Sequence, residues 1–194
     1  MRSLNCDTTW TVYGTTRLPR LRPKPGVRRM RKPLINKGTL EMIPAIEKSV
    51  QVPLAPSDAF RVFTSDIALW WPLDTHSLSA QNGQSAQSVA VEPRIGGKIV
   101  ETKPDGSTAD WATITDWTPG ARLSFDWYVG RDPSEATQIR ITFMANDNGT
   151  RVDLIHDGFD RLGAQGVDIA RGYQTGWDGV LGQCYVSACQ RKAA

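Results

Sequence analysis

The sequence predicts an α+β domain, from about Met42 to the end of the chain, in which a curled antiparallel sheet packs against a long C-terminal helix. Two observations predict the sheet: apolar and polar residues alternate over short stretches, and glycine-containing turn sequences separate these stretches. One observation predicts the helix: after Ala164, apolar residues recur every three or four positions. A domain of this size can bury a real core without a metal ion.

One strand and two short helices are predicted first. Ile46–Val52 places its apolar side chains mainly on one parity, which is the period-two pattern of a strand with one buried face. Residues 57–63 carry their apolar side chains on one side of a short helix, for which Ser57 is the predicted cap. Residues 67–71 form the second short helix, which ends at a proline.

Six further strands are predicted as a meander, because each alternating stretch is bounded by a turn sequence. Their predicted bounds are 88–93, 97–103, 108–117, 121–129, 136–145 and 149–156. Leu123, Phe125 and Trp127 share one parity, while charged and hydroxyl residues occupy the alternate positions. One face of the sheet is therefore expected to be buried and apolar, here called the dry face, and the other to be exposed to solvent.

Residues 164–192 are predicted to form one long helix. Five glycines are unusual inside it, since each costs about 1 kcal/mol relative to alanine in a helix: Gly166, Gly172, Gly176, Gly179 and Gly182. Two explanations remain open for these glycines: close approach of the helix to the sheet, or space for a ligand.

Residues 1–41 are a basic, proline-rich leader that is predicted to be disordered. The leader contains ten Lys or Arg residues and two acidic ones, so the remaining chain is mildly acidic. Three explanations remain open: a mis-assigned start with Met42 as the true first residue, a basic tail that contacts nucleic acid or anionic lipid, or an organellar presequence. The acidic balance of the domain predicts that the folded part does not bind nucleic acid.

No metal, cofactor or transmembrane segment is predicted. Cys6, Cys184 and Cys189 form no CxxC pair and no Cys/His cluster with ligand spacing. No apolar run approaches the roughly 18 residues of a membrane-spanning helix, and the first residues lack the apolar stretch of a secretory signal. These features predict a cytoplasmic protein.

Five local sequences resemble the START-like superfamily, also called SRPBCC, whose members have the helix-grip fold. They are DIALWWP at 66–72, EPRIGG at 92–97, WTPGARLSFDW at 117–127, GTRVDLIHDG at 149–158 and GYQTGW at 172–177. Within the superfamily they are similar to the family related to the C-terminal domain of the activator of the 90-kDa heat-shock-protein ATPase. The resemblance covers about residues 45–190 and implies a curved antiparallel sheet of about seven strands with the long C-terminal helix packed across it. The fold hosts lipid carriers, hormone receptors, polyketide cyclases and co-chaperones, so it implies no single function.

The predicted ligand site is the space between the sheet and the C-terminal helix, where START-like relatives commonly enclose a cavity. Seven aromatic residues and one histidine are its predicted lining: Trp71, Trp111, Phe125, Trp127, Phe143, His156, Tyr173 and Trp177. Aromatic rings offer apolar contact, and indole N–H groups offer directional donors. The predicted function is therefore binding of an apolar or aromatic small molecule, with the 73–88 loop and the glycine-rich helix as gates.

Two other functions remain open. A cyclase- or dehydratase-type enzyme would use His156 or His76 as an acid-base group in the same cavity, although no nucleophile accompanies either histidine. A protein-interaction module of the co-chaperone kind would instead present a large exposed apolar patch and no internal void.

Overall fold

The computed structural model describes residues 42–194, so the predictions made for residues 1–41 lie outside the described residues. Seven strands form one antiparallel sheet in the order β1-β7-β6-β5-β4-β3-β2. They are β1 (Ile46–Val52), β2 (Ser88–Val91), β3 (Lys98–Thr102), β4 (Thr108–Thr118), β5 (Arg122–Trp127), β6 (Thr137–Asn146) and β7 (Gly149–Asp157). The sheet is a meander from β2 to β7, and β1 pairs with β7 at its far edge. The predicted α+β fold and its seven-stranded sheet are confirmed.

Two short helices follow β1, as predicted. They are α1 (Pro56–Thr64) and a single 3-10 turn at Ile67–Leu69. The predicted cap at Ser57 is wrong, because Ala55 is the N-cap residue and Pro56 occupies the first helical position. Proline suits that position, where its missing N–H would have no helical partner.

The C-terminal helix keeps helical backbone from Gly166 to Ala193, but its pitch changes on the way. It consists of α2 (Gly166–Gly179), a π-helical segment (Val180–Tyr185) and α3 (Val186–Ala193), and a 3-10 segment (Phe159–Gln165) precedes it. The predicted long helix is therefore present, with a wide turn that was not predicted. The π-helical segment contains three buried side chains: Val180, Leu181 and Tyr185. Such segments are frequent at functional sites.

Buried aromatic side chains form two groups on the dry face of the sheet. The α1 cluster contains Phe60, Phe63, Trp70, Phe143 and Tyr185, whose contacting ring centroids lie 5.2–6.1 Å apart. The α2 cluster contains Trp71, Trp111, Trp127, Tyr173 and Trp177. The Trp70 and Trp71 rings lie 5.5 Å apart and connect the two clusters. The core is therefore one continuous aromatic layer.

Gly149, at the start of β7, is expected to be intolerant of a side chain. Its φ is 115°, and a Cβ there would lie 2.3 Å from the Val52 carbonyl oxygen. Gly149→Ala is therefore expected to lower the free energy of unfolding by about 2–4 kcal/mol in urea titrations. Gly106→Ala is the control, since Gly106 has φ of 82° but open space around it, and it should cost only about 1–2 kcal/mol. Equal losses would contradict the close approach of Gly149 to β1.

Neither a membrane-spanning helix nor a cluster of metal ligands is found within residues 42–194. No helix there combines the length and the apolar character that crossing a membrane requires. No group of three or more His, Cys, Asp or Glu side chains is placed to hold a metal ion. The exposed large apolar side chains belong to separate segments: Met42, Leu69, Ile95, Met144 and Val167.

Candidate functional site

A small void lies between β5, the C-terminal helix and the turn that follows Trp71. Its lining is Trp71, Thr75, His76, Ser77, Trp127, Val129, Tyr173, Gly176, Trp177 and Val180. The void measures about 20 Å³, which is room for about one water molecule. Sites for drug-sized ligands measure roughly 300–1,000 Å³. The expected hollow is therefore closed in this structure, and aromatic rings interlock around what remains of it.

Four of the predicted lining residues meet at this void: Trp71, Trp127, Tyr173 and Trp177. Trp111 lies behind two of them, with its ring centroid 5.5 Å from that of Trp71 and 5.9 Å from that of Trp127. Phe125 also lies behind Trp127, at 5.7 Å. Phe143 belongs to the α1 cluster and does not reach the void. The predicted site thus has two layers of rings: four side chains that line the void, and Trp111 and Phe125 packed behind them.

His156 is fully buried and bonded at both ring nitrogens. Trp177 Nε1 donates to His156 Nδ1 at 3.2 Å, so the ring proton lies on Nε2, which donates to Thr137 Oγ1 at 2.8 Å. The Thr137 hydroxyl donates in turn to the Trp127 carbonyl oxygen at 3.2 Å. Burial, assisted by the nearby positive charge of Arg131, holds the pKa of His156 well below its usual value. This arrangement favours a structural role, in which His156 orients Trp177, over acid-base catalysis or a polar contact to ligand.

His76 is the histidine that reaches the void. Its backbone N–H donates to the Pro72 carbonyl at 2.8 Å, and its own carbonyl accepts from Trp71 Nε1 at 2.6 Å. Its Nδ1 lies 2.9 Å from the Thr75 hydroxyl. Burial lowers the pKa of His76 to about 4, although the negative charge of Asp74 opposes the shift. The imidazole is therefore neutral at pH 7.

Acid is expected to destabilise the fold through His76. Its pKa is about 4 in the folded state and 6.5 when exposed, so the unfolded chain binds the extra proton between these values. The free energy of unfolding should fall by up to about 3 kcal/mol as the pH drops from 6.5 to 4. Urea titrations at pH 7.5, 5.5 and 4.5 should show a smaller loss for His76→Gln than for the wild type. Parallel losses in the two proteins would exclude His76 as the source.

Glu101 fastens the loop after Trp71 to β3. Its side chain is fully buried and accepts hydrogen bonds from Leu78 N at 2.8 Å, Ser79 N at 2.9 Å and the Ser79 hydroxyl. Trp111 Nε1 donates to the same carboxylate at 2.7 Å. Ser79 begins a 3-10 helix (Ser79–Asn82), whose first N–H groups have no helical partner. Sequence reasoning missed Glu101, although it shares its strand parity with the buried Ile99.

Arg131 was also missed, and it approaches the void from the connection between β5 and β6. Its guanidinium forms a hydrogen bond with the Tyr173 hydroxyl, which also accepts from Trp127 Nε1 at 2.8 Å. Burial raises the pKa of Tyr173 to about 12, and the positive charge of Arg131 opposes that rise. The Tyr173 hydroxyl is therefore neutral at pH 7. An arginine beside a turn glycine gives no sequence signal of this placement.

The chain is similar to several proteins of known structure. CalC from Micromonospora echinospora, described as a self-sacrificing resistance protein, has a TM-score of 0.59 and 24% identity, over 78% of this chain and 97% of that chain. The anthrahydroquino-γ-pyrone synthase Txn09, solved in complex with SUM, has a TM-score of 0.55 and 29% identity, over 76% and 98%. An AHSA1-like protein from Aeromonas hydrophila has a TM-score of 0.54 and 17% identity, over 77% and 94%. A comparison with curated proteins gives no match.

A family profile fits the same part of the chain. The profile is described as Activator of Hsp90 ATPase homolog 1-like protein, and it matches residues 53–183. That span begins just after β1 and ends within the π-helical segment, so it contains the meander and every residue that lines the void. The chain therefore belongs to the family of activator of Hsp90 ATPase homolog 1-like proteins, within the START-like superfamily.

Proposed function

We propose that this protein binds an apolar or aromatic small molecule between β5 and the C-terminal helix. The observation that carries the proposal is the convergence of four aromatic side chains on one void: Trp71, Trp127, Tyr173 and Trp177. Members of this family commonly bind hydrophobic ligands, which supports a ligand of this class. Txn09, which shares 29% identity with this chain, was solved with a bound molecule.

The polar atoms of the site leave mainly apolar surface for a guest. The indole N–H of Trp71 is taken by a backbone carbonyl, that of Trp127 by the Tyr173 hydroxyl, and that of Trp177 by His156. The faces of these rings therefore remain available for contact with a ligand. Recognition would therefore depend on shape and desolvation, which suits flat aromatic molecules.

A guest larger than one water molecule requires an opening, and the turn at residues 72–77, three of whose residues line the void, is the element that would move. Its hydrogen bonds are mostly internal: the Pro72 carbonyl accepts from the Thr75 and His76 N–H groups, and the Ser77 hydroxyl donates to the Leu73 carbonyl. The turn can therefore lift as a unit between Pro72 and the anchor at Glu101. Short surface turns with few bonds to the core open most readily.

A neutral fluorescent probe, N-phenyl-1-naphthylamine, tests the proposal. Titration into the wild type should give a saturable, blue-shifted probe emission with quenching of tryptophan emission. Trp177→Leu should weaken binding about tenfold or more, since it removes one wall of the site. Trp117→Leu is the matched control, because Trp117 contacts Phe60 and does not line the void. Circular dichroism must show both variants folded. Absence of saturable binding to the wild type, or equal effects of the two substitutions, would overturn the proposal.

A ring-forming enzyme is the second candidate, and two observations favour it. His76 lines the void with an imidazole that is neutral at pH 7, which is the form that a general base requires, although its pKa of about 4 makes it a weak base. Txn09 is described as an anthrahydroquino-γ-pyrone synthase. In this case the protein should form a γ-pyrone on an anthrahydroquinone substrate, and His76→Gln should abolish turnover while leaving probe binding intact. Lack of turnover by the wild type would leave binding as the function.

A further inference from the structure

One nitrogen of the Arg131 guanidinium lacks a hydrogen-bond acceptor. Its Nη1 is buried and has no hydrogen-bond partner among residues 42–194. It also takes part in none of the ion pairs of that region, whereas Arg140 pairs with Asp157 and Arg151 pairs with Asp153. A desolvated guanidinium N–H without an acceptor costs free energy. Such a placement in a folded chain calls for a partner that is not part of the described structure.

The backbone places this cation next to Tyr173, a residue of the void lining. Trp127 and Thr137 are paired at the adjoining ends of β5 and β6, and the connection between them turns tightly at Gly130, whose φ is 72°. The Arg131 N–H donates to the Tyr128 carbonyl at 2.8 Å within this turn. The guanidinium then reaches the Tyr173 hydroxyl, which belongs to a residue of the void lining. The guanidinium is thus one hydrogen bond away from a residue that lines the void, although Arg131 itself is not part of that lining.

The groups that face Arg131 cannot neutralise it. His156 is neutral and Tyr173 is a neutral phenol at pH 7, and no carboxylate of residues 42–194 lies within ion-pair distance of Arg131. A tyrosine hydroxyl that already accepts from Trp127 needs no further cation for its packing. A half-buried guanidinium that has a buried nitrogen without an acceptor and no carboxylate partner attracts an anionic oxygen, and its planar geometry matches that of a carboxylate.

We infer that the ligand is an aromatic acid, with its rings between Trp71, Trp127 and Trp177 and its acidic oxygen bound to the Arg131 guanidinium. This inference rests on the proposed function and names the ligand class for the same site. Apolar burial supplies most of the affinity, and the charged hydrogen bond selects the acid over neutral analogues.

Two isosteric probes test the inference: 2-naphthoate, which is anionic at pH 7, and 2-naphthamide, which is neutral. Calorimetric titration of the wild type should show the acid binding about tenfold more tightly or better. Arg131→Met should reduce that preference to less than about twofold and leave 2-naphthamide affinity unchanged. Arg131→Lys should retain part of the preference for the acid, because lysine keeps the positive charge but cannot form the paired hydrogen bonds of a planar guanidinium. Arg161→Met is the control, since Arg161 is exposed in the 3-10 segment after β7 and its side chain donates to the Ala136 carbonyl.

The outcomes separate this inference from the function on which it rests. Binding of 2-naphthamide with no preference for the acid, or a preference that survives in Arg131→Met, overturns the role of Arg131 and leaves the aromatic site standing. Failure of both probes and of N-phenyl-1-naphthylamine overturns the site and the inference together. Thermal melting supplies a second readout, because removal of an unpaired buried cation should not lower the melting temperature of the ligand-free protein. A clear drop in Arg131→Met would instead indicate a structural arginine.

Discussion

Replacement of Glu101 by glutamine is expected to lower the free energy of unfolding by about 3–5 kcal/mol. The carboxylate accepts four hydrogen bonds, from Leu78 N, the Ser79 N–H and hydroxyl, and Trp111 Nε1. A glutamine amide would turn its own N–H₂ group toward two of these donors, so at least two bonds are lost and two donors are left buried without acceptors. Urea unfolding followed by circular dichroism measures the loss.

Glu47→Gln is the matched control for this change, because Glu47 also lies in a strand but is exposed. Its effect should stay within about 0.5 kcal/mol. Glu101→Gln should also speed the entry of N-phenyl-1-naphthylamine in stopped-flow mixing, because the loop at residues 77–79 loses its anchor on β3. A stability close to that of the wild type would mean that the loop is held by other contacts.

Replacement of Trp71 by alanine is expected to cost about 3–5 kcal/mol in unfolding free energy. Trp71 is the residue at which the aromatic rings meet, with centroids 5.5 Å from Trp111, 6.0 Å from Trp127 and 6.1 Å from Trp177. Its removal leaves a cavity that interlocked rings cannot collapse to fill. Trp71→Phe keeps most of the ring but loses the hydrogen bond to the His76 carbonyl, so it should cost only about 1–2 kcal/mol.

Unfolding of the two Trp71 variants in urea distinguishes packing from hydrogen bonding. Packing predicts that the alanine variant loses at least about twice as much stability as the phenylalanine variant. Equal losses would instead assign the stabilisation to the bond between the indole and the His76 carbonyl. A loss below about 1 kcal/mol for the alanine variant would contradict the close packing of the α2 cluster.

The sheet could be predicted because its signals are local. Alternation and turn glycines placed β6 at 136–145 and β7 at 149–156, and the strands run over Thr137–Asn146 and Gly149–Asp157. The inward direction of Trp127 followed from the same parity. The π-helical pitch at Val180–Tyr185 leaves no comparable pattern, since the same apolar spacing fits an α-helix within one residue.

The candidate site was less predictable because its character depends on contacts between distant segments. The void is small because Trp127 meets Tyr173 from 46 residues away, and no local pattern reports that distance. His156 was correctly expected on the dry face, but Thr137 and Trp177 come from two other elements to occupy its nitrogens. The sequence did contain a signal for Glu101, which has the same strand parity as the buried Ile99. A carboxylate on the buried face of a strand needs hydrogen-bond donors, so this position could have been predicted to bind another segment.

The most direct test of ligand binding between sheet and helix uses the indole N–H signals of ¹⁵N-labelled tryptophan during titration with N-phenyl-1-naphthylamine. The account predicts that saturation shifts the signals of Trp71, Trp127 and Trp177, which surround the void. The signal of Trp117, which contacts Phe60 and does not line the void, should move least. No shift of the first three signals, or shifts confined to Trp70 and Trp117, would contradict it.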